Sequence, residues 1–433
     1  METVRLVLES GFVLDLPGEM FYGHAPRLRN LSLCGAFLAW DARILDGASH
    51  MRVFVVDVIM RRRVASGRYT LQGEYSDDGW PEDQAELEPV ADAEDAHVAG
   101  DDPLLDQYPP NPDSRIPKLA RLLDILDGMP RLEELRLEGV IPIHDRMRPP
   151  GTPRITSLSH LTRLTLSGPI LGCVQLINAL DLPGLESFHY FCILPVQGRT
   201  STAVAALLPF LTKHCSRSNE AWRPVHTLEI RSTVSYELQI RAPAGDPCRK
   251  PQSDGLANFQ SDDDIFNVEF RLFEPSLHTQ GRILETVLSA LPVSNTLQRI
   301  FIHGFGRVSQ NRWVRALGHC TELREVHLGK ATLQLLEALG SGLDNPSIFL
   351  PKLELLELRG SRLNHRCPHG GPVLEVLFRV LEERKRRGGW LEVLNLRSAW
   401  HTKAQQGEIA SKDLARVVQF NPTTKPQRAR YVP

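Results

Sequence analysis

Three stretches of this 433-residue chain hold residue types that could do chemistry. His365, Cys367 and His369 alternate in His365-Arg366-Cys367-Pro368-His369, and imidazole with thiolate is a zinc-binding combination. A structural site needs a fourth ligand. No CxxC or HxxxH partner lies nearby, and alternation along an extended stretch turns Cys367 away from the two histidines. The stretch therefore reads as a surface loop, and no metal is expected. Gly304-Phe305-Gly306-Arg307-Val308-Ser309 sits between a predicted strand and a predicted helix, as a dinucleotide fingerprint would, but the last glycine of that fingerprint is missing. It reads as a glycine-rich turn leaving the strand around Ile300 and Ile302. Arg61-Arg62-Arg63 and Arg384-Lys385-Arg386-Arg387 could meet phosphate, but the second run ends an amphipathic helix, where cations suit the C-terminal dipole. The sequence has no G-x-S-x-G elbow, no P-loop, no HExxH pair and no cysteine in a recognisable nucleophile context. No catalytic residue and no cofactor is assigned, and the chain is not expected to be an enzyme.

The elements that would position any site repeat along the chain. One phrase recurs: an apolar residue, two variable ones, then apolar, variable, apolar. It is clearest at Leu28-Leu31-Leu33, Leu132-Leu135-Leu137, Leu161-Leu164-Leu166, Leu323-Val326-Leu328, Leu353-Leu356-Leu358 and Leu391-Leu394-Leu396. Weaker copies are Met51-Phe54-Val56, Leu185-Phe188-Tyr190, Val225-Leu228-Ile230 and Leu297-Ile300-Ile302, with a ragged start at Leu6-Leu8. The last two apolar residues of the phrase lie two apart on a short strand and so point to one side. Helical periodicity fills the gaps, as in Leu119-Leu122-Leu123-Leu126, Val174-Leu176-Ile177-Leu180, Ile283-Leu284-Val287-Leu288-Leu291 and Leu374-Leu377-Phe378-Leu381. Proline stands two residues before the phrase at Pro26, Pro130, Pro183 and Pro351, where a helix must already have stopped. Strand plus helix cannot bury its apolar faces alone, so neighbouring repeats must stack. The predicted fold is an α/β leucine-rich-repeat solenoid with irregular repeats, its curved parallel sheet of about ten strands on the concave side and its helices on the convex side.

The phrase starts at residues 28 and 51, or 161 and 185, at the usual repeat spacing, but the step from 225 to 297 is far longer. We divide the chain into N-terminal repeats at 1–75, an acidic disordered loop at 76–113, central repeats at 114–241, a flexible insertion at 242–264, C-terminal repeats at 265–400 and a tail at 401–433. The acidic loop holds Asp77, Asp78, Glu82, Asp83, Glu86, Glu88, Asp101 and Asp102 without a lysine or arginine. The insertion separates strand-like Tyr236-Leu238-Ile240 from Val268-Phe270-Leu272, the pattern of a hairpin with a long tip. A net charge of -2 gives no footprint for nucleic acid, and no apolar run approaches the roughly 18 to 20 residues of a membrane span. Seven cysteines without paired spacing suit free thiols, hence a cytoplasmic or nuclear setting.

The wording of three passages resembles the leucine-rich region of the divergent F-box protein families of mushroom-forming fungi. They are Phe21-Tyr22-Gly23-His24-Ala25-Pro26-Arg27-Leu28-Arg29-Asn30-Leu31-Ser32-Leu33 with Trp40 following, Leu122-Leu123 through Met129-Pro130-Arg131-Leu132-Glu133-Glu134-Leu135-Arg136-Leu137, and Leu161-Thr162-Arg163-Leu164-Thr165-Leu166-Ser167-Gly168-Pro169 through Leu182-Pro183-Gly184-Leu185-Glu186-Ser187-Phe188. They span about the first half of the chain. The resemblance implies a substrate-recruiting protein related to receptors of cullin ubiquitin ligases. In that family an N-terminal F-box docks on a Skp adaptor. Here Leu16-Pro17-Gly18-Glu19-Met20-Phe21 looks like the opening of an F-box, yet only six residues separate Phe21 from Leu28. A Skp adaptor is thus a partner only if an F-box lies upstream.

Residues flanking the two inward positions of each strand should face the concave side, because side chains alternate across the pleat. From that stripe the candidate protein-binding residues are Arg136, Thr165, His189, Glu229, Phe301, His327, Arg359 and Asn395. Mixed charges, histidines and one exposed aromatic suit a selective protein-binding surface. The alternatives are an enzyme such as a hydrolase with its site in the second half, and a stand-alone scaffold unrelated to ubiquitin ligases.

Overall fold

The computed structural model describes residues 2–8, 14–19, 25–46, 48–58, 116–141, 154–194, 200–216, 224–233, 237–244, 264–271, 277–304, 308–329, 333–340, 348–361, 363–364, 371–399 and 401–420. The loop predicted to be disordered at 76–113, the tip of the insertion at 245–263, the Arg61-Arg62-Arg63 run and His365, Cys367 and His369 lie outside these residues.

Seven strands of the main sheet are entered through one kind of turn. The N–H of the first apolar residue of the phrase donates to the carbonyl three residues earlier: Leu28 to Ala25 at 2.9 Å, Leu132 to Met129 at 3.1 Å, Leu161 to Leu158 at 3.1 Å and Leu353 to Leu350 at 3.2 Å. Pro26, Pro130 and Pro351 take the second place of these turns, where a fixed φ near -65° is favoured. The first place is apolar too, and Met129, Leu158, Cys320 and Leu350 are buried there. Just beyond the turn a single carbonyl accepts two successive N–H groups of the next strand. Arg52 O receives Glu133 and Glu134 at 2.8 and 2.9 Å, Glu133 O receives Thr162 and Arg163 at 2.9 and 3.1 Å, and Gln298 O receives Arg324 and Glu325 at 2.9 Å each.

From these entries run β1 (Thr3–Val7), β2 (Asn30–Cys34), β3 (Val53–Asp57), β4 (Glu134–Glu138), β5 (Arg163–Pro169), β6 (Ser187–Ile193), β7 (Thr227–Thr233), β8 (Glu237–Pro243), β9 (Asp264–Arg271), β10 (Arg299–His303), β11 (Glu325–Leu328), β12 (Leu355–Leu358), β13 (Leu391–Asn395) and β14 (Ala415–Gln419). All fourteen share one sheet, in the order β1 to β6, β9, β8, β7, then β10 to β14. Every neighbour pair is parallel except that β8 runs antiparallel to both β7 and β9. After β6 the chain passes over two places, lays down β7, and meanders back through β8 and β9 to fill the gap. The hairpin expected around the insertion is present, but it lies within the sheet, so the array continues unbroken across it.

The helices are α1 (Leu119–Asp127), α2 (Ile170–Asn178), α3 (Thr200–Cys215), α4 (Leu277–Ala290), α5 (Gln310–Leu317), α6 (Leu333–Gly340), α7 (Val373–Arg386) and α8 (Lys403–Ser411). From α2 to α7 each packs on the next. Their buried residues, such as Leu176, Leu284, Leu317 and Leu377, join Leu31, Leu135, Leu164, Phe188, Ile300 and Leu356 of the strands in one continuous core. Among the described residues, no helix is long and apolar enough to cross a membrane.

Several expectations change. The sheet has fourteen described strands rather than about ten. Between β2 and β3 there is no helix but a short strand, Ala36–Leu38, and one turn of 3-10 helix, Arg43–Leu45. In β1 it is Val4 and Leu6, not Leu6 and Leu8, that align with Leu31 and Leu33. The stretch read as a tail from residue 401 contributes α8 and β14 before the described residues end at 420.

Gly304 leaves β10 with φ of 85°, and a Cβ there would stand 1.9 Å from the Ser232 carbonyl oxygen. Gly407 lies inside α8 with open space around a Cβ. Gly304→Ala should therefore lower the unfolding midpoint in urea, while Gly407→Ala should raise stability by about 0.5–1 kcal/mol. Equal effects of the two changes would contradict this exit geometry.

The open face of the sheet as candidate functional site

Alternation sends Leu135 and Leu137 of β4 into the core and leaves Glu134, Arg136 and Glu138 on the other face, and the paired registers extend that face across the sheet. Its middle row runs Arg5, Ser32, Val55, Arg136, Thr165, His189, Asn267, Arg241, Glu229, Phe301, His327, Glu357, Asn395 and Gln419, each the direct neighbour of the next. Seven of the eight candidate residues fall in this row. Arg359 falls one row further along, because in β12 it is Glu357 that aligns with His327. Asn267 and Arg241 were not read from the sequence, since β8 and β9 lack the phrase. Their outward direction follows from the alternation Leu238-Ile240 and Val268-Phe270.

Three clusters of arginine and carboxylate occupy the face. Arg136 donates from Nε to Glu138 Oε1 at 2.6 Å and stands 3.6 Å from Asp57, and Glu138 is only 1% exposed. Glu229 is buried, accepting from Arg231 Nε at 2.7 Å, with Arg241 Nη1 at 3.6 Å; Arg241 also donates to Asp264 at 2.8 Å. Thr165 and His189, both half-buried, lie between these two clusters. In the third cluster, Glu357 takes His327 Nδ1 at 2.5 Å, Arg359 Nη2 at 2.8 Å and Asn395 Nδ2 at 3.2 Å. Burial alone would push the Glu357 carboxyl up, but the hydrogen bonds from His327 and Arg359 outweigh it and hold it below the usual range. His327 faces Glu357 through Nδ1. Its Nε2 finds no hydrogen bond among the described residues and lies 3.5 Å from Glu325.

Phe301 corrects the sequence reading. Expected as an exposed aromatic, it is 3% exposed, because the His327 ring stacks on it at 4.1 Å and 9°, and the Arg359 guanidinium lies over it at 5.4 Å from the ring centre. It packs beside the third cluster on the open face instead of meeting solvent. Glu229 and His327 are buried likewise. Arg136, Thr165, His189, Arg359 and Asn395 remain half-buried and reachable.

The other sequence candidates are accounted for by packing. Arg384 is buried, donating to the carbonyls of Phe349 and Leu350 at 2.6 and 2.5 Å, and so braces a turn in which Leu350 has φ of 51°. Burial pushes its guanidinium down to about 10. Lys385 pairs with Asp413 at 2.9 Å and lies over the Trp390 ring, while Arg386 and Arg387 both bind Glu383. Every member of this basic run is thus engaged by its own surroundings. The described cysteines are unpaired, and burial pushes the thiols of Cys173, Cys215 and Cys320 up to about 12, which keeps them protonated and unreactive. Among the described residues no group of three or more histidine, cysteine, aspartate or glutamate side chains could hold a metal ion. Comparison with models of protein families gives no match, and comparison with curated proteins gives none either.

Two measurements follow from this geometry. Phe301→Ala should cost about 3–5 kcal/mol in urea unfolding, as for a buried phenylalanine, whereas Thr165→Ala should stay within about 0.5 kcal/mol of neutral. A small loss for Phe301→Ala would mean that the ring is not packed as described. The second concerns pH. Burial pushes the His303 imidazole, next to this cluster, down to about 4, with Arg231 and Arg359 acting in the same direction and Glu229 opposing. The unfolded chain, with an ordinary histidine near 6.5, then binds one more proton than the folded chain between those values. Stability is therefore fully present above pH of about 6.5 and is lost as pH falls toward 4. Unfolding midpoints from pH 7 to pH 4.5 should drop less steeply in His303→Gln than in the natural chain, and parallel curves would rule the contribution out.

Proposed function

We propose that the chain is a protein-recognition module of leucine-rich-repeat type, holding a protein target on the open face of its sheet. The observation that carries this reading is the shared middle row, in which variable positions from fourteen strands stand side by side on one surface. Its half-buried members, such as Thr165 and His189, can be varied without touching Leu135, Leu164 or Leu356 in the core beneath, which is the property a recognition surface needs. The clustered charges support a protein target over a nucleic acid. Each arginine of the three clusters already faces carboxylates, so the face offers matched, pre-positioned polar groups instead of a field for phosphate backbones. Arginines held in place in this way are frequent hot spots, because little further ordering is needed when a partner arrives.

The resemblance of the first half of the chain to fungal F-box proteins supports a finer reading: a target-recruiting protein related to receptors of cullin ubiquitin ligases, working in the cytoplasm or nucleus. On that reading a Skp adaptor binds only through an F-box supplied ahead of the repeats.

The test is site-specific photo-crosslinking in cells of the source organism. A photoreactive residue is placed at Thr165, at His189 or, as a helix-side control, at Arg379, which is exposed on α7. One and the same polypeptide joined from Thr165 and His189 but not from Arg379 is the expected result. Adducts from Arg379 alone would place the partner on the helices and defeat the proposal.

A further inference from the structure

One edge of the sheet ends in an exposed apolar row. Among the described residues β14 has a neighbouring strand, β13, on one side only. It carries Val417 on the open face, in register with Val393, which is in turn in register with Leu355. Leu355 and Val393 are half-buried and Val417 is 49% exposed, so the apolar row crosses three strands and is most open at the edge. The helix layer gives little cover here, since of α8 only Ile409 is buried.

The backbone of β14 has a used and an unused side. The Gln419 carbonyl turns toward β13, where it accepts Leu396 N–H at 2.8 Å. Successive residues of a strand direct their N–H and C=O groups to opposite sides, so Val417 turns toward β13 with Gln419, while Arg416 and Val418 turn to the edge. Antiparallel pairing of two copies about Val417 sets these edge groups opposite one another. Arg416 then exchanges both hydrogen bonds with Val418 of the second copy, and Val418 with its Arg416. Val417 meets its own counterpart in the non-hydrogen-bonded position, where Cα atoms approach to about 4.5 Å and side chains are closest. The two Arg416 side chains do not face each other, and each keeps Glu392 at 3.4 Å.

We propose that the chain forms a two-fold dimer through antiparallel pairing of β14 with β14 of a second copy, which joins the two sheets and merges the two apolar rows into one. The residue at the middle of the strand decides for a second copy. Val417 is β-branched and apolar, so it pairs favourably with itself across a two-fold axis. The opposite edge fails this condition: the middle of β1 is the exposed Arg5, and a two-fold axis there would set like charges directly opposite. Residues 421–433, which follow β14 in the chain, contain Pro422 and Pro426, and proline cannot donate to a ladder. The proposal stands independently of what the open face recognises, since it concerns the edge of the sheet.

Sedimentation of the full chain should show monomer giving way to dimer as concentration rises about a hundredfold. Val417→Cys should yield a disulfide-linked dimer on mild oxidation, because a Cα separation of about 4.5 Å lies within the span of a disulfide. Its yield should exceed that of the natural chain and of Val7→Cys treated alike, Val7 being a 50% exposed residue of β1. Val417→Arg should abolish the dimer without lowering the thermal midpoint of the dilute chain, since the side chain is a surface one in the monomer. Val417→Ile should keep the dimer, which ties the loss to the charge. A monomer at every concentration leaves the edge to residues 421–433 or to a different protein. Equal crosslinking from Val7→Cys means random collision, and species larger than a dimer mean head-to-tail pairing of β14 with β1. Each of these three results would overturn the proposal.

Discussion

One backbone interaction underlies the regularity of this molecule. At the foot of many strands a single carbonyl oxygen, such as that of Arg52, Glu133 or Gln298, accepts the first two N–H groups of the strand beside it. A carbonyl has two lone pairs, so one oxygen can satisfy both of these donors. Its consequence is register. A slip of one residue would exchange core and surface along a whole strand, turning Leu135 outward and Arg136 inward. Because this anchor recurs at the same rung, residues far apart in sequence are brought side by side, as Arg136 is with Thr165 and Phe301 with His327.

How much of this could be read in the amino acids varies with the element. The phrase Leu132-Leu135-Leu137 fixes both a strand and its inward face, because two apolar residues at a spacing of two leave no other orientation compatible with burial. The positions of Arg136, Thr165 and His189 follow directly. The apolar residue three places before the first leucine of the phrase, such as Met129 or Leu158, lies outside the strand pattern, since its role is to begin a turn and not to belong to a strand. β14 was not legible: Ala415-Arg416-Val417-Val418 lacks the phrase, and its place depends on pairing with β13. The surroundings of Phe301 were equally hidden. Its outward direction is a local property, but its burial depends on Arg359 reaching across from β12, a contact between residues 58 positions apart.

The open face also shows how polar groups are kept in order on a surface. Glu138, Glu229 and Glu357 are buried carboxylates, and each is compensated by arginine placed within two residues or on an adjacent strand. An isolated buried carboxylate would be costly, and the removal of one partner from such a pair costs more than the pair itself contributes. The clusters therefore favour one arrangement of side chains on the face, at modest net gain in stability. Phe301, stacked by the His327 ring and covered by the Arg359 guanidinium, brings an apolar group into the same order on the open face.

The reversed strand β8 has a geometric effect on the balance between the two layers. Where one strand accompanies one helix, as from α5 to α7, the sheet advances by about 4.8 Å per repeat while the helices need about 8–10 Å. There the helix layer needs more length per step than the sheet supplies. From α2 to α5 the chain takes three helix steps, roughly 27 Å at about 9 Å each, but the meander supplies five strand spacings, roughly 24 Å. Across this central region the helix layer and the sheet therefore advance by nearly the same length.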